Sequence, residues 1–585
     1  DLSLAYSPGV AAPCEEIAKD PNKAFQYTSR GNLVAVITNG TAVLGLGDIG
    51  PLAAKPVMEG KGVLFKKFAG IDVFDIEVHE KDPDKLVDII AALEPSFGGI
   101  NLEDIKAPDC FYIERQLRQR MNIPVFHDDQ HGTAIVVGAA ILNGLKVVGK
   151  DIRQVKLVAS GAGAAALACL GMLIKLGMPR EHIWVTDLAG VVYAGRTELM
   201  DDDKRPFMQQ TDARTLADVI GGADVFLGLS AGGVLKPDMV KAMADKPLIL
   251  ALANPTPEIL PEEVMKVRQD AVMATGRTDY PNQVNNVLCF PYIFRGALDA
   301  GASTITTEME IAAVHAIAEL AQAEQSEVVA AAYAGETLAF GPEYLIPKPF
   351  DPRLMMKIAP AVVQAAIDSG VAKRPVADMD AYREKLQSLV YASGAAMKPV
   401  FSAAKRGTRK RICFSEGEEE RVLRAAQIVL DEGLAQPILI GRPSVIQQRI
   451  ERFGLRLTEG VDYQVVNVEN DHRYRDFWQT YHRMTERKGV TQQLAKIDMR
   501  RRLTLIGCMM VHKGEADGLI CGTWSTPDAH LHYVDQVIGL RPGVSTYACM
   551  NALLLPERQV FLVDTHINYD PSAEQLAEIT IMAAE

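Results

Sequence analysis

The sequence predicts an α/β chain whose central part is a doubly wound parallel sheet and whose last part is a second α/β unit. The chain has 585 residues. A single hydrophobic core stops growing at roughly 250–300 residues, so two or more domains are expected. From Val155 onward short apolar runs alternate with helix-like segments, as in parallel strands joined by helices. A further strand, acidic turn and amphipathic helix begin at Arg411, in RICFSEGEEERVLRAAQIVL.

The first part of the chain is predicted to hold short strands and helices. Residues 31–50 contain two apolar runs, LVAVI and TAVLGL, around the turn TNGT, and each run is typical of a strand. Helix-like stretches continue to about residue 125. They are interrupted by a predicted strand, VFDIEV, at residues 73–78.

The central part shows a regular alternation of strands and helices. VKLVAS is a predicted strand, AAALACLGMLIKLG a helix and HIWVTD the next strand, and two more apolar runs lie at residues 224–230 and 247–254. Residues 305–340 are rich in Ala and Glu and are predicted to be helical. The stretch from Val371 to about Arg411 is polar and becomes basic, which is typical of an interdomain linker.

These patterns divide the chain into four segments. We expect a first domain at residues 1–132 and a domain of alternating strands and helices, with its following helices, at 133–372. A linker is expected at 373–410, and the second α/β domain at 411–585.

Charge and cysteine usage exclude some classes of partner. The net charge of -13 argues against nucleic acid and against an anionic membrane surface, because both reward a basic face. The eight cysteines form no CxxC pair, which predicts reduced thiols and a cytoplasmic location. No uninterrupted apolar run reaches the roughly 18–20 residues that a membrane span needs. The start, DLSLAYSPGV, is not a signal peptide, and we expect the chain to be part of a longer protein.

Two glycine-rich turns are candidates for a dinucleotide site. GAGAAA, with Gly161, Gly163 and Ala166, follows an apolar strand and opens an Ala- and Leu-rich helix. A tight turn, close backbone approach and a helix N-terminus are what a pyrophosphate requires. GLGDIG, at residues 45–50, is followed by prolines and a Lys-rich segment, which better suits a substrate pocket. We therefore place the dinucleotide at Gly161–Ala166.

The strand after this turn ends in an acid that bears on the choice between NAD and NADP. Asp187 stands near the position of the ribose-binding acid, and an acid there favours NAD. Arg196 follows in the same loop and is a candidate to accept a 2′-phosphate, although it is equally typical of a solvated loop residue. The two charges leave both cofactors open.

Two pairs of acids flank one predicted helix. Glu103 and Asp104 lie in NLEDIKAPD, and Asp128 and Asp129 lie in PVFHDDQHGTA. If the helix between them folds back, both pairs reach one site. Carboxylates with little else nearby suit Mg2+ or Mn2+ rather than structural zinc. One pair alone would be interpreted as a solvated helix cap. His127 and His131 are left out of the predicted ligand set, because single histidines near such a site are more often supporting or structural residues.

Together these segments resemble a malic enzyme. AYSPGVA, GLGDIG with VMEGK, LEDI with HDDQHGTA, ALANPTPE and PNQVNNVLCFPYIFRGAL match the family's motifs in family order, over about residues 1 to 370. The resemblance implies a Rossmann-type dinucleotide domain. It also implies oxidative decarboxylation of L-malate to pyruvate and CO2 with a divalent metal, Mg2+ or Mn2+, and a nicotinamide cofactor.

The resemblance also implies roles for three catalytic residues. Lys61 would take the proton of the C2 hydroxyl, Tyr6 would protonate enolpyruvate, and Asp128 would hydrogen-bond or tune the Lys61 site. A lysine serves as a base only if its pKa falls, and burial and the charge of a nearby metal would lower it.

The remaining implied roles concern binding. The resemblance assigns the metal to Glu103, Asp104 and Asp129. It assigns substrate and nicotinamide contacts to Asn254 and Asn286, with Asn285 beside them in the substrate site.

One position departs from the large-subunit malic enzymes. These enzymes carry an arginine just before GLGD that binds a malate carboxylate, whereas this chain has Ala42 there. The chain therefore resembles the short bacterial type. Asn286, backbone amides or Lys55 remain candidates to bind the distal carboxylate.

The last third of the chain resembles a phosphate acetyltransferase. RICFSEGEEERVLRAA, PILIGR, ADGLICGTWSTPDAHLHYV, RPGVSTYACM and FLVDTHINYDPSAEQLAEI carry the likeness over about residues 400–585. The family's catalytic C-terminal part is absent, so acetyl transfer is not expected. In the hybrid malic enzymes with this fusion the domain serves in homo-oligomerisation and as a module that responds to acetyl-CoA, and NADP is the usual cofactor. We therefore expect NADP, with NAD as the alternative.

Three other functions are compatible with parts of the sequence. They are an NAD-linked 2-hydroxy acid dehydrogenase without decarboxylation, a scaffold that senses acetyl-CoA, and a bifunctional enzyme with active acetyl transfer. The carboxylate cluster argues against the first, because simple dehydrogenases of that kind use histidine and arginine. The intact Tyr6, Lys61 and metal-site acids argue against the second.

Overall fold

The computed structural model forms two compact units, Asp1–Leu386 and Gln387–Glu585. The structure describes residues 2–43, 46–323, 339–390, 394–555 and 559–585. Each unit has its own parallel sheet covered by helices, which confirms the predicted α/β class.

The first sheet of unit 1 carries the predicted acids at its edge. Its strands follow the order β2-β1-β3-β4 and all pair in parallel. The central strand β1 is LVAVIT, and all of its residues are buried because helices cover both faces of the sheet. The strands are β1 (Leu33–Thr38), β2 (Asp72–Glu77), β3 (Gly99–Leu102) and β4 (Val125–His127).

The second sheet of unit 1 is the doubly wound sheet that the sequence predicts. Its order is β10-β9-β8-β5-β6-β7, and the pairs are parallel except for β6 with β7. The predicted runs VKLVAS, HIWVTD, DVFLGLS and PLILALAN all form strands here. The strands are β5 (Leu157–Ser160), β6 (Ile183–Asp187), β7 (Gly190–Val191), β8 (Val225–Gly228), β9 (Leu248–Ala251) and β10 (Val272–Thr275).

Helices pack on both sheets of unit 1. They are α1 (Leu2–Ala5), α2 (Ala11–Lys19), α3 (Ala24–Tyr27), α4 (Pro51–Ala69), α5 (Pro83–Ala92), α6 (Asp109–Arg120), α7 (Thr133–Val148), α8 (Ala164–Lys175), α9 (Leu216–Ile220), α10 (Pro237–Lys241), α11 (Pro261–Val267), α12 (Phe290–Ala300), α13 (Thr307–Gln322) and α14 (Arg353–Asp368). Short 3-10 turns lie at Pro21–Lys23, Ser29–Asn32, Glu94–Ser96, Arg180–His182, Arg205–Phe207 and Asn286–Leu288, and a π-helical turn at Asp128–Gly132.

Two segments differ from their predicted structure. TAVLGL is not a strand: its described residues contain only an isolated bridge between Val43 and Gly47, because the chain turns back at Leu46. The stretch 373–410 was expected to be a linker, yet it contains the helices α15 (Met379–Val390) and α16 (Gly394–Arg406). The helix predicted at 305–340 is confirmed as far as Gln322, and residues 324–338 lie outside the described part of the chain.

Unit 2 is built on a sheet of order β13-β12-β11-β14, all parallel, and a separate antiparallel pair, β15-β16. The strands are β11 (Lys410–Phe414), β12 (Ala435–Gly441), β13 (Gln464–Asn467), β14 (Gly518–Ile520), β15 (Met550–Leu554) and β16 (Gln559–Val563). The helices are α17 (Glu420–Asp431), α18 (Pro443–Arg452), α19 (Tyr474–Thr485), α20 (Gln492–Arg501), α21 (Leu503–His512), α22 (Pro527–Val537) and α23 (Ala573–Ala584), with a 3-10 turn at Glu486–Lys488.

One helical segment within the described ranges, Asp128–Val148, is long and apolar enough to cross a membrane by length and composition. Its apolar window has a mean hydropathy of 1.5 and is 67% buried. Its side chains therefore pack in the interior of unit 1, as those of a core helix do.

Candidate functional site

The predicted acids meet because two neighbouring strands end at the same edge of the sheet. Glu103 and Asp104 follow β3, and Asp128 and Asp129 follow β4. The strands pair in parallel with Leu102 opposite His127, so the next residues of each strand face one another. Helix α6 is the crossover between them, which is the fold-back that the sequence analysis required.

Three of these acids form a carboxylate cluster suited to a cation. One ligand atom from each of Glu103, Asp104 and Asp129 lies within 4.8 Å of the others. Glu103 and Asp104 are buried, whereas the side chain of Asp129 is about one third exposed. Among the described residues the cluster consists of carboxylates alone, and these match the ligands that Mg2+ and Mn2+ prefer. The residues present therefore fit the metal that the sequence predicts.

Local backbone geometry holds the cluster in place. Asp104 has a left-handed backbone (φ 55°), which costs a non-glycine residue about 1–2 kcal/mol. Its N–H donates to Asp129 Oδ2 at 2.9 Å, which joins the two acidic pairs. Asn101 donates to Glu103 Oε2 at 2.9 Å and orients the carboxylate of Glu103.

Gly132 leaves the space that Asp128 occupies. A side chain at position 132 would place its Cβ 1.9 Å from Asp128 Oδ1. Asp128–Gly132 forms the π-helical turn, a feature found frequently at functional sites, and it continues directly into α7. The glycine of HDDQHGTA is therefore a packing requirement of the site.

The buried face of α4 places Lys61 beside the acids. Buried residues recur along this helix at helical spacing, and Lys61 stands among apolar ones, Met58 and Phe65 on its two sides. The Lys61 ammonium donates to Asp128 Oδ2 at 2.5 Å and lies 2.9 Å from Glu103 Oε1. It also lies 4.3 Å from the centroid of the Phe290 ring.

Two neighbouring carboxylates raise the pKa of Lys61. Burial by itself lowers the pKa of Lys61, but the negative charges of Asp128 and Glu103 outweigh it, and the pKa is raised above its ordinary value. Burial raises the pKa of Glu103 and of Asp128 to about 7, against the opposing effect of Lys61. The predicted fall in the pKa of Lys61 also requires the charge of a bound cation, so it stays a prediction.

Of the predicted asparagines, one contacts the lysine site. Asn286 donates to Asp128 Oδ2 at 2.5 Å, so Lys61 and Asn286 share one carboxylate oxygen. The Oδ1 atom of Asn285 accepts from the N–H of Val287 at 3.0 Å, which caps the 3-10 turn Asn286–Leu288. Asn254 is exposed in the loop after β9, where Gly276 leaves room for its amide group.

Tyr6 is not joined to this cluster in the described part of unit 1. Its side chain is 69% exposed, and its backbone carbonyl accepts from Val10 N at 2.9 Å. No hydrogen bond or ring contact connects its phenol to Lys61 or Asp128 among the described residues. Its role as a general acid stays a prediction.

The predicted dinucleotide turn has the required backbone. Gly161 has φ 111°, and a Cβ there would lie 2.3 Å from the carbonyl oxygen of Leu229. Gly163 is the N-cap of α8 and has no side chain to occupy the first amides of the helix, and Ala166 is buried in its first turn. These amides are available to the phosphates of a dinucleotide.

The other glycine turn, GLGDIG, lies at the start of α4. Gly45 lies outside the described residues, whereas Gly47 and Gly50 have φ of 80° and 83°. Gly50 N donates to Gly40 O at 3.0 Å, and a Cβ on Gly40 would lie 2.2 Å from the Gly50 carbonyl carbon. This close approach fixes the start of the helix that carries Lys61.

Asp187 is flanked by two cations, one of which the sequence analysis missed. Arg196 donates to Asp187 Oδ2 and also to the carbonyls of Gly190 and Val191 at 2.9 and 3.0 Å. Its side chain is only 2% exposed, so Arg196 is neither a solvated loop residue nor open to a 2′-phosphate in this arrangement. Lys204 Nζ lies 3.3 Å from Asp187 Oδ2 and is the more exposed of the two cations.

The sequence analysis also missed a buried ion-pair network behind the Asp128–Gly132 turn. The ring of His131 lies 2.9 Å from Glu114 Oε2 and 3.0 Å from Glu310 Oε1. Burial lowers the pKa of His131, but the two carboxylates raise it to about 10. A sequence signal existed for Glu114, because it shares the buried face of α6 with Ile113 and Leu117.

Carboxylates surround the ammonium group of Lys55. Its Nζ lies 2.5 Å from Asp75 and 3.4 Å from Glu77. It is therefore a poor candidate for the distal carboxylate of a substrate.

Comparison with known proteins finds three matching families. Residues 1–82 and 77–118 match the family described as malic enzyme, N-terminal domain. Residues 130–331 match the malic enzyme, NAD binding domain, and residues 395–585 match phosphate acetyl/butaryl transferase.

Similar proteins extend this likeness over the whole chain. The NADP-dependent malic enzyme of Salmonella typhimurium is 62% identical over all of this chain and 77% of its own length. The NAD-dependent malic enzyme of Rhizobium meliloti is 60% identical over all of this chain and 76% of its own length. A crystal structure of malic enzyme from Pyrococcus horikoshii is 44% identical, with a TM-score of 0.61, and the match covers 68% of this chain and 90% of that one. The chain belongs to the malic enzymes, with a phosphate acetyl/butaryl transferase domain after its dinucleotide domain.

Proposed function

We propose that Lys61 and the carboxylates beside it are the centre at which this chain decarboxylates L-malate oxidatively to pyruvate and CO2. The observation that carries the proposal is the position of the Lys61 ammonium, 2.5 Å from Asp128 and 2.9 Å from Glu103, at the edge of the Glu103–Asp104–Asp129 cluster. A proton acceptor placed next to a cation site is what deprotonation of a metal-chelated hydroxyl requires.

Each residue of this centre has a proposed task. Glu103, Asp104 and Asp129 hold a divalent cation, and the Gly161–Ala166 turn holds the pyrophosphate of the dinucleotide. When bound, the cation supplies Lewis acidity and the nicotinamide accepts hydride. Lys61 Nζ accepts the proton of the malate C2 hydroxyl as the neutral amine, after its ammonium proton has passed to the Asp128 carboxylate beside it.

The polar neighbours orient these groups. Asp128 holds the Lys61 ammonium through the same oxygen that accepts from Asn286, which fixes the direction of the Nζ atom. Asn286, Asn285 and Asn254 are proposed substrate and nicotinamide contacts. Tyr6 is proposed to give a proton to the enol carbon after CO2 leaves, from its own subunit or from a neighbouring one.

We expect Lys61→Ala to lower kcat by about 10²- to 10⁴-fold, because a positioned general base contributes that much. The rate is followed by the absorbance of reduced nicotinamide with malate, NADP and Mn2+. Lys67→Ala is the matched control, since it removes an exposed lysine from the same helix. A Lys61→Ala rate equal to that of the control would contradict the assignment.

Replacement of a metal ligand should weaken cation binding. Loss of a partner that only orients a ligand costs about 10–100-fold in metal affinity, so Asp129→Asn and Glu103→Gln should cost at least as much. Mn2+ binding is measured directly by electron paramagnetic resonance and compared with the Mn2+ dependence of the rate. Asp88→Asn, at an exposed acid on α5, should leave both unchanged. An unaltered Mn2+ affinity in both Asp129→Asn and Glu103→Gln would contradict the proposed metal site.

We propose NADP as the preferred cofactor, because two cations neutralise the acid at the end of β6. Arg196 and Lys204 both contact Asp187, and the pKa of Asp187 is lowered, since these partners outweigh its burial. A neutralised acid no longer repels a 2′-phosphate, and Lys204 is the cation placed to donate to it. The sequence relatives alone leave this open, since similar proteins are named for NADP and for NAD.

Lys204→Ala should therefore raise the KM for NADP by about tenfold or more, the value of a lost charge-assisted hydrogen bond, and leave the KM for NAD nearly unchanged. Initial rates with each cofactor give the ratio. Lys241→Ala, at an exposed lysine on α10, is the control. An equal rise for both cofactors would show that Lys204 supports the fold of the loop rather than recognising the phosphate.

We propose that the domain at residues 411–585 regulates the first unit in response to acetyl-CoA and contributes to homo-oligomerisation in the cytoplasm. The support is its match to phosphate acetyl/butaryl transferases, whose name implies an acyl-carrier substrate. Allosteric coupling is typically 1–3 kcal/mol, which is about 5–150-fold in affinity.

Saturating acetyl-CoA should therefore change the malate rate of the full chain at subsaturating malate, while free CoA at the same concentration should change it less. Sedimentation velocity reports the oligomeric state in the same samples. An unchanged rate over the whole malate range would remove the regulatory proposal and leave the catalytic one intact.

A further inference from the structure

A cavity of about 100 Å³ lies in unit 1 at the amino ends of β3 and β4. Gly98, which precedes β3, and Asn122 and Ile123, which precede β4, line it together with Leu298 of α12. The metal-site acids follow the carboxyl ends of the same strands. Glu103 lies five positions after Gly98, and at about 3.3 Å per position this is roughly 16 Å. The cavity is therefore separate from the catalytic centre.

The lining of this cavity is strongly cationic. Arg30, Lys373 and Arg374 line it, against one carboxylate, that of Glu94. The Glu94 carboxylate is itself engaged, since its Oε1 accepts from Asn122 N at 3.2 Å. The side chains around the cavity thus carry an excess of positive charge.

The two guanidinium groups are anchored but not charge-paired. Arg30 donates to the carbonyls of Phe97 and Glu94 at 3.1 and 3.0 Å, and Arg374 donates to the carbonyl of Leu298 at 2.9 Å. Within the part of the chain that the structure describes, neither forms an ion pair. A guanidinium has five N–H donors, so each group keeps donors for a further acceptor.

Both guanidinium groups contact the same aromatic ring. The Cζ atoms of Arg30 and Arg374 lie 4.4 and 4.0 Å from the centroid of one ring, that of Phe25. The charge of Asp299 by itself raises the pKa of Arg374, but its carboxylate already accepts two hydrogen bonds from the guanidinium of Arg295, at 2.8 and 2.6 Å. Burial lowers the pKa of both Arg30 and Arg374, and this effect outweighs the opposing charges of Glu94 and Asp299.

We propose that this cavity binds a small anion, one carboxylate or phosphate group held by Arg30 and Arg374. Two arginines with free donors at one small cavity match the fork geometry that recognises both groups. The site is distinct from the metal cluster and from the Gly161–Ala166 turn, and no step of malate oxidation uses it.

Calorimetric titration of the full chain with inorganic phosphate, and separately with succinate, tests the proposal. Saturating NADP is present throughout, so that the dinucleotide turn is occupied. We expect saturable binding of at least one probe. Arg374→Gln and Arg30→Gln should each weaken it by about tenfold or more, the usual value of a charge-assisted hydrogen bond.

Two further variants make the result decisive. Lys373→Gln changes only an exposed side chain at the cavity and should also weaken binding, which keeps the test valid if an arginine variant does not fold. Arg153→Gln removes an exposed arginine that pairs with Asp151 and should bind like the unaltered protein. Binding of phosphate alone or of succinate alone would support the site and name its ligand class. No saturable binding of either probe, or equal binding by the cavity variants and Arg153→Gln, would overturn the proposal.

Discussion

The buried ion pairs of Lys61 with Asp128 and Glu103 are the interaction on which the catalytic unit depends. Removing such charges from water costs several kcal/mol per ion, so the fold must supply good geometry and further hydrogen bonds. Gly132 leaves room for Asp128, Asn286 shares its oxygen, and Asn101 satisfies Glu103. Removal of the lysine would leave the buried carboxylates of Asp128 and Glu103 without their cation, although their hydrogen bonds to Asn286 and Asn101 would remain.

A second buried charge network supports the same turn from behind. His131 belongs to the π-helical turn Asp128–Gly132 and is fixed on α6 by Glu114 and on α13 by Glu310. His131 thus links the turn to two helices on one side, while the acids of the turn face the end of β3.

The two ends of one parallel sheet carry opposite charge. Acids collect after the carboxyl ends of β3 and β4, whereas Arg30 and Arg374 lie at their amino ends. Parallel strands force this separation, because every strand starts at one edge and finishes at the other. The carboxylate cluster and the cationic cavity therefore lie at opposite ends of the same strands.

The sequence by itself determined the α/β class, the malic enzyme motifs, the acids that form the carboxylate cluster, and the glycine turn at Gly161, because these depend on local spacing and residue type. The tertiary structure decided what depends on distant contacts. It placed Arg196 in a buried bond network and Lys204 at Asp187, raised the pKa of Lys61 through two carboxylates, and left TAVLGL outside the sheet. Charge state and burial are set by neighbours far away in sequence, and a linear pattern does not contain them.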